Sequence, residues 1–300
     1  MREAFHFLSL VTRTVRVELL RVIVTGVVIG CVLAGTARAQ VNTGNVSVAA
    51  GADVTNAYFF RGVVGETKGF ILQPYIETGF SLFEAADGSR SVGLTVGLWN
   101  SLHSGPSGAD RTDIGSAKPW YEASFYSGVT VGFAEHWQVG ATYMAISSPN
   151  QSFNTVQELE FDFAYDDSAA LGSFAMSPRA LLVVEMKGQS DFGTNEGVYL
   201  ELGIAPGIAP AGGPVSVTFP VTAAFSLSDY YEHPVTGVDS TFGYFDVGAD
   251  VDIPLGLPES FGAWGLTGSV HLLVLGDTNA AFNNDQEAEV IAKVGLYFAY

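Results

Sequence analysis

The chain has 300 residues, 48% hydrophobic, 12% aromatic and only 15% charged, with 35 glycines, one cysteine and a formal net charge of −18. The acidic balance excludes nucleic acid as a partner, because phosphate binding needs clustered Lys and Arg. The single Cys31 excludes intrachain disulfides and a multi-cysteine metal cluster. Beyond the first forty residues no apolar run is long enough for a membrane helix.

Residues 1–39 read as a signal peptide and residues 40–300 as one β-rich domain. Arg2, Arg13, Arg16 and Arg21 form a basic leader, Val22 to Leu33 an apolar stretch, and Ala37-Arg38-Ala39 a small-residue cleavage site before Gln40. Val28-Ile29-Gly30-Cys31 also resembles a lipoprotein box, a rival cut that would lipidate Cys31. With cleavage at Ala39, five of the 13 basic and two of the 31 acidic residues leave, so 8 basic and 29 acidic remain, a net charge of −21.

The remaining chain is a succession of alternating segments, in which side chains of one parity are apolar and those of the other polar. Asn45–Phe60 sets Val46, Val48, Ala50, Ala52, Val54 and Tyr58 against Ser47, Gly51, Asp53 and Thr55. Phe70–Phe83 places Glu77 on its polar face, and Ser91–Leu102 places Trp99 there. In Trp120–Val131 the outward set is Tyr121, Ala123 and Phe125, with Glu122 opposite; Trp137–Ser147 follows after a short turn. Thr155–Tyr165 alternates most clearly, with Leu159, Phe161, Phe163 and Tyr165 against Glu158, Glu160 and Asp162. Arg179–Met186 is so uniformly apolar that its phase stays open. Gly197–Ala205 carries Glu201 on the polar face, and Val215–Leu227 follows a Pro/Gly turn. Thr241–Ile253 sets Phe245, Val247, Ala249 and Val251 against Tyr244, Asp246, Asp250 and Asp252. Ala263–Leu275 carries His271 among its polar residues. The final segment sets Val290, Ala292, Val294, Leu296, Phe298 and Tyr300 against a mixed face with Glu289 and Lys293.

These are twelve strands of about ten residues, the length of a tilted bilayer crossing. The expected fold is all-β: a transmembrane antiparallel up-and-down β-barrel of about 12 strands in the bacterial outer membrane. A soluble sandwich also alternates. The barrel is preferred because the apolar face recurs in every strand nearly free of Lys and Arg, and the opposite face is too polar for a dry core. Closure also removes the exposed edges of a twelve-strand sheet. An even strand count puts both ends of the domain in the periplasm. Loops Phe59–Gly69, His103–Lys118, Ser147–Asn154, Lys187–Glu196, Ser228–Ser240 and Gly276–Gln286 are then extracellular. The connection Asp166–Pro178 is long for a periplasmic turn. The terminal Leu296, Phe298 and Tyr300 form an aromatic-ended signal for the barrel-assembly machinery, and outer-membrane lipid and lipopolysaccharide are the expected surroundings.

Tyr58-Phe59-Phe60-Arg61-Gly62, placed at the mouth of the pore, reads as Y-x-F-R-G near the mature N-terminus. In this it resembles the TorF family of porins, also called Gcw_chp. The sequence departs from that pattern at Ala57 and at Val63-Val64-Gly65-Glu66, which leaves a sister family open. The resemblance implies an outer-membrane barrel that passes small solutes.

Expected lumen-lining residues are Glu77, Glu122, Glu158, Glu160, Asp162, Glu201, Asp246, Asp250 and Asp252, with Lys293 as the main basic companion. A ring of carboxylates concentrates cations, so the expected function is passive diffusion of small cationic or neutral solutes. A non-conducting structural or adhesion barrel is the alternative, and a barrel enzyme acting on lipid a third. No local motif joins His103, His136, His233 or His271 to a serine nucleophile, so no catalytic residue is expected. His271 is expected to satisfy lumen carboxylates. The Asp277–Asp285 loop lacks the twelve-residue calcium spacing, and no metal or cofactor is expected.

Overall fold

The computed structural model describes residues 44–107, 119–208 and 214–300. The stretch expected to be a signal peptide, part of the loop after His103 and part of the Pro/Gly turn before Val215 lie outside the described residues. No described helix is long and apolar enough to cross a membrane.

Alternation becomes wall strands almost residue for residue. They are β1 (Val46–Thr55), β4 (Ile71–Glu84), β5 (Arg90–His103), β6 (Trp120–Phe133), β7 (Trp137–Ser147), β8 (Val156–Tyr165), β9 (Arg179–Lys187), β10 (Val198–Ile204), β13 (Val221–Ser228), β14 (Phe242–Leu255), β15 (Ala263–Leu275) and β16 (Ala288–Ala299). Each pairs antiparallel with its neighbour, β16 pairs with β1, and β14 pairs with β15. The result is a closed barrel of twelve strands. At the seam Tyr300 and Val48 exchange both backbone hydrogen bonds at 2.8 Å. Two short strands, β11 (Gly207–Ile208) and β12 (Ser216–Thr218), extend β10 and β13 past Pro206 and Pro220; β12 still pairs with β14. A proline lacks the amide a ladder needs, so it interrupts the strand at that point.

The outer surface carries the apolar parity. Ile76, Leu98, Phe125, Val129, Phe163, Leu202, Val270, Val290 and Leu296 are all exposed there, as a lipid-facing band requires. The inner parity is polar: Glu122 and Glu158 are buried, Glu77, Glu160, Glu201, Asp246, Asp250 and Asp252 are half-buried, and Asp162 is exposed. In β9 the open phase resolves with Val183 and Glu185 buried. They lie opposite the inward Glu160 and Glu158 of β8.

Two expectations are corrected. Tyr121 does not face outward. The β5–β6 register shifts beside Ser101, leaving Tyr121 as the extra residue of a bulge, and such a residue is re-aimed. It is buried and stacks on His103 at 4.3 Å. Tyr58 to Phe60 do not close the first wall strand either. The wall ends at Thr55, and Asn56 continues the seam with its side chain, donating from Nδ2 to Val290 O (2.9 Å) and accepting from Ala292 N–H at Oδ1 (2.7 Å). The chain then leaves the wall as a separate two-stranded hairpin, β2 (Tyr58–Phe60) and β3 (Val63–Glu66).

Candidate functional site

The hairpin turns on Arg61 and Gly62, both at positive φ (47° and 85°), between the paired Phe60 and Val63. A two-residue loop with both centres at positive φ is the type I′ geometry that matches strand twist. All four residues of β3 are buried. The hairpin therefore folds inward at the loop end of the barrel, against the ends of β5, β6, β8 and β14. Tyr58 OH donates to Glu122 of β6 at 2.7 Å, whereas Gly62 abuts Tyr244 of β14. Strands β6 and β14 stand six apart in a ring of twelve, so the hairpin spans the barrel from wall to opposite wall.

Arg61 is its central contact. Nη1 donates to Glu158 Oε1 (2.7 Å) and Tyr230 OH (2.6 Å), and Nη2 donates to Glu160 Oε1. The guanidinium carbon lies 4.7 Å from the Phe60 ring centroid, 5.2 Å from Tyr199 and 5.8 Å from Tyr230. Two carboxylates and three rings thus form a cage around one planar cation, the geometry that suits arginine best. Glu158 is 0% exposed; its Oε1 also accepts from Ser190 Oγ (2.8 Å), while its Oε2 is buried without a hydrogen-bond partner. Tyr231 OH donates to the Arg61 carbonyl at 2.8 Å, which helps hold a non-glycine residue at positive φ.

A second anchor ties β3 to the wall. Ser107 Oγ, within 2.7 Å of His103 Nδ1, donates to Glu66 Oε2 at 3.2 Å; His103 Nε2 is 2.8 Å from Ser101 Oγ. His103 Nδ1 is itself 3.3 Å from Glu66 Oε2. A serine, a histidine and a carboxylate are thereby aligned, an arrangement the separate sequence positions did not reveal. Ser101, His103 and Glu66 are all buried, and their shared contacts fasten the hairpin.

Beyond the hairpin the inner wall stays acidic. Tyr126 OH donates to Glu77 at 2.9 Å. Glu201 accepts from Tyr199 OH (2.6 Å) and Tyr244 OH (2.8 Å) and pairs with Arg179 at 3.0 Å. His271 Nδ1 is 2.6 Å from Asp246 and Nε2 3.0 Å from Asp250. Both ring nitrogens face carboxylates, the arrangement in which a doubly protonated imidazole could donate to each. Tyr297 OH donates to Asp252 at 3.0 Å. Asp162 shares the inner face of β8 with Glu158 and Glu160 and lies opposite Gly140. Lys293, buried on β16, lies opposite Thr55 and Ser269. Every carboxylate singled out in the sequence therefore sits on the inner face. Missed there were Glu185, which accepts from Ser190 N–H (2.6 Å) and Gly197 N–H (2.8 Å), and the tyrosines Tyr199, Tyr230, Tyr231 and Tyr244. The parity of Tyr199 and Tyr244 was legible; Tyr230 and Tyr231 sit in a loop, where parity says nothing.

No protein-family model matches the chain, and no curated protein matches it. Solved structures do. The COG4313 outer-membrane channel from Pseudomonas putida F1 aligns with a TM-score of 0.50 and 11% identity, covering 85% of this chain and 94% of that one. The chain has the fold of an outer-membrane β-barrel. The translocator domain of the autotransporter NalP from Neisseria meningitidis (TM-score 0.41, 12% identity, 86% and 89% covered) and the NanC porin (0.39, 8%, 84% and 98%) are also similar. At such identities the likeness concerns fold alone.

Proposed function

We propose that this protein is a bacterial outer-membrane channel through which small cationic or neutral solutes diffuse passively. On this reading a cleaved signal peptide exports it, the barrel-assembly machinery inserts it among outer-membrane lipid and lipopolysaccharide, and its long-loop end faces outward. The TorF-like stretch Tyr58–Gly62 agrees with this reading on its own five residues. The observation that carries it is the inner wall. Glu77, Asp162, Asp246, Asp250 and Asp252 line it beyond the hairpin, with Arg179, His271 and Lys293 as basic counterparts. Such an excess of carboxylate favours cations in a narrow aqueous path. Facing lipid instead, each charge would cost up to a few kcal/mol (about 2–4 for a base at the midplane, less for an acid).

The test is reversal potential across a salt gradient in planar bilayers, wild type against the triple variant Glu160→Gln, Asp162→Asn, Asp250→Asn. Cation preference should fall while conductance persists. An unchanged reversal potential would remove these carboxylates from selectivity. The wall-to-wall hairpin favours a second reading, a non-conducting barrel, which predicts no single-channel currents from folded protein.

A further inference from the structure

Arg61 is a covalently tethered cation in a site that would suit a free one. Apart from the hairpin's own Phe60, the site has two carboxylates spaced for a guanidinium, a phenol, and the rings of Tyr199 and Tyr230 within cation–π range. Glu158 and Glu160 both contact the guanidinium. Glu158 also keeps one buried oxygen without a hydrogen-bond partner. The hairpin is not packed seamlessly against the wall: a cavity of about 30 Å³, lined among others by Tyr58, Phe60, Glu122 and Ser190, lies beside it. The Arg61 cluster holds the tip of the hairpin, while Tyr58–Glu122 and the Glu66–Ser107–His103 anchor hold its base; a competitor that takes the cluster over frees the tip.

We infer that the Arg61 cage is the solute-recognition site of this barrel. Its ligand class is a small guanidinium cation, which displaces Arg61 and so frees the hairpin tip from the lumen. This rests on the channel reading above and names its solute. No bond is made or broken; one cation replaces another between Glu158 and Glu160. The displacement can only be as favourable as the difference between the free and tethered cation in the same seat.

The experiment uses full-length mature protein, refolded and inserted in planar bilayers in potassium chloride, with methylguanidinium as the probe and added sodium as the control. In the wild type, methylguanidinium should raise open probability several-fold and sodium should not. In Arg61→Ala the channel should already be open, and methylguanidinium should now reduce current by occupying the vacated cage. This reversal of sign is the diagnostic result. In Glu160→Gln both effects should weaken several-fold. Should Arg61→Ala not insert, Arg61→Lys serves instead, since an ammonium lacks the planar fork and should yield its seat at lower methylguanidinium concentration. Potassium currents on which methylguanidinium and sodium act alike in every variant would overturn this inference and leave the channel reading standing. Absence of current from all folded variants would remove the channel reading. Calorimetric titration in detergent would then decide the cage by itself: no saturable methylguanidinium binding to Arg61→Ala overturns it.

Discussion

Gly62 shows how little freedom the hairpin turn has. Its φ of 85° is one that side chains rarely adopt, and an added Cβ would lie 2.6 Å from Asn279 Nδ2 and 2.7 Å from Cδ1 of Tyr244. Backbone strain alone costs about 1–3 kcal/mol at such a position, and overpacking a close contact adds a similar amount. Gly62→Ala should therefore unseat the hairpin tip while the wall, which makes its own ladders, stays closed. The expected measurement is fast amide exchange in Tyr58–Glu66 with unchanged protection in β14 and β15. Slow exchange throughout would show that the tip tolerates a methyl group. Arg61 beside it acts in the opposite sense, since its positive φ is a strain held by side-chain contacts. Removing it would strand Glu158 in a buried site, a change that costs about 3–5 kcal/mol for a broken buried pair.

At the scale of the element, the long connection between β8 and β9 has a physical explanation. It holds a short helix, Ser168–Leu171, and a 3-10 turn, Gly172–Phe174. The Asp167 carboxylate accepts the backbone N–H groups of Met176 and Ser177 at 3.0 Å. The Ser177 amide in particular holds that carboxyl below its ordinary value of 3.8. A carboxyl lowered in the fold stabilises above its unfolded pKa and loses that contribution as pH falls through its folded value. The connection should stay ordered at pH 5 and loosen below about pH 4, and Asp167→Ala should loosen it at neutral pH. Exchange rates of the Met176 and Ser177 amides read this directly; no change on either treatment would discard the cap. Legibility also divides by element. Wall strands were readable because alternation is a property of each strand alone, and the carboxylate positions came with it. The hairpin was hidden because Tyr58 continues the apolar parity of β1 across Asn56. Nothing in Tyr58-Phe59-Phe60 distinguishes a strand facing lipid from one buried in a lumen. The turn offered only Arg61-Gly62, without the usual asparagine or aspartate signal.

For the whole molecule, the two ends of the barrel differ, and the difference fixes how it should sit in a membrane. Apart from Asp166–Pro178, one end carries shorter connections, such as Ala134–His136 between β6 and β7. The other carries the hairpin, the Phe242-side loop with its buried Tyr230 and Tyr231, and the helix Asp277–Phe282. Outer-membrane barrels put short turns in the periplasm and long loops outside. Val235, 86% exposed at a loop tip, should then lie on the cell surface, and Gly256, with open space around it, in the periplasm. Cleavage at Ala39 would remove the only cysteine, so single-cysteine variants give a clean signal. Val235→Cys should react with an impermeant maleimide on intact cells, and Gly256→Cys only after the outer membrane is breached. Labelling of Gly256→Cys alone on intact cells would invert the barrel and place the Arg61 cage nearer the periplasm. A guanidinium solute would then meet the hairpin only after passing the length of the acidic lumen, which ties the orientation experiment to the recognition site.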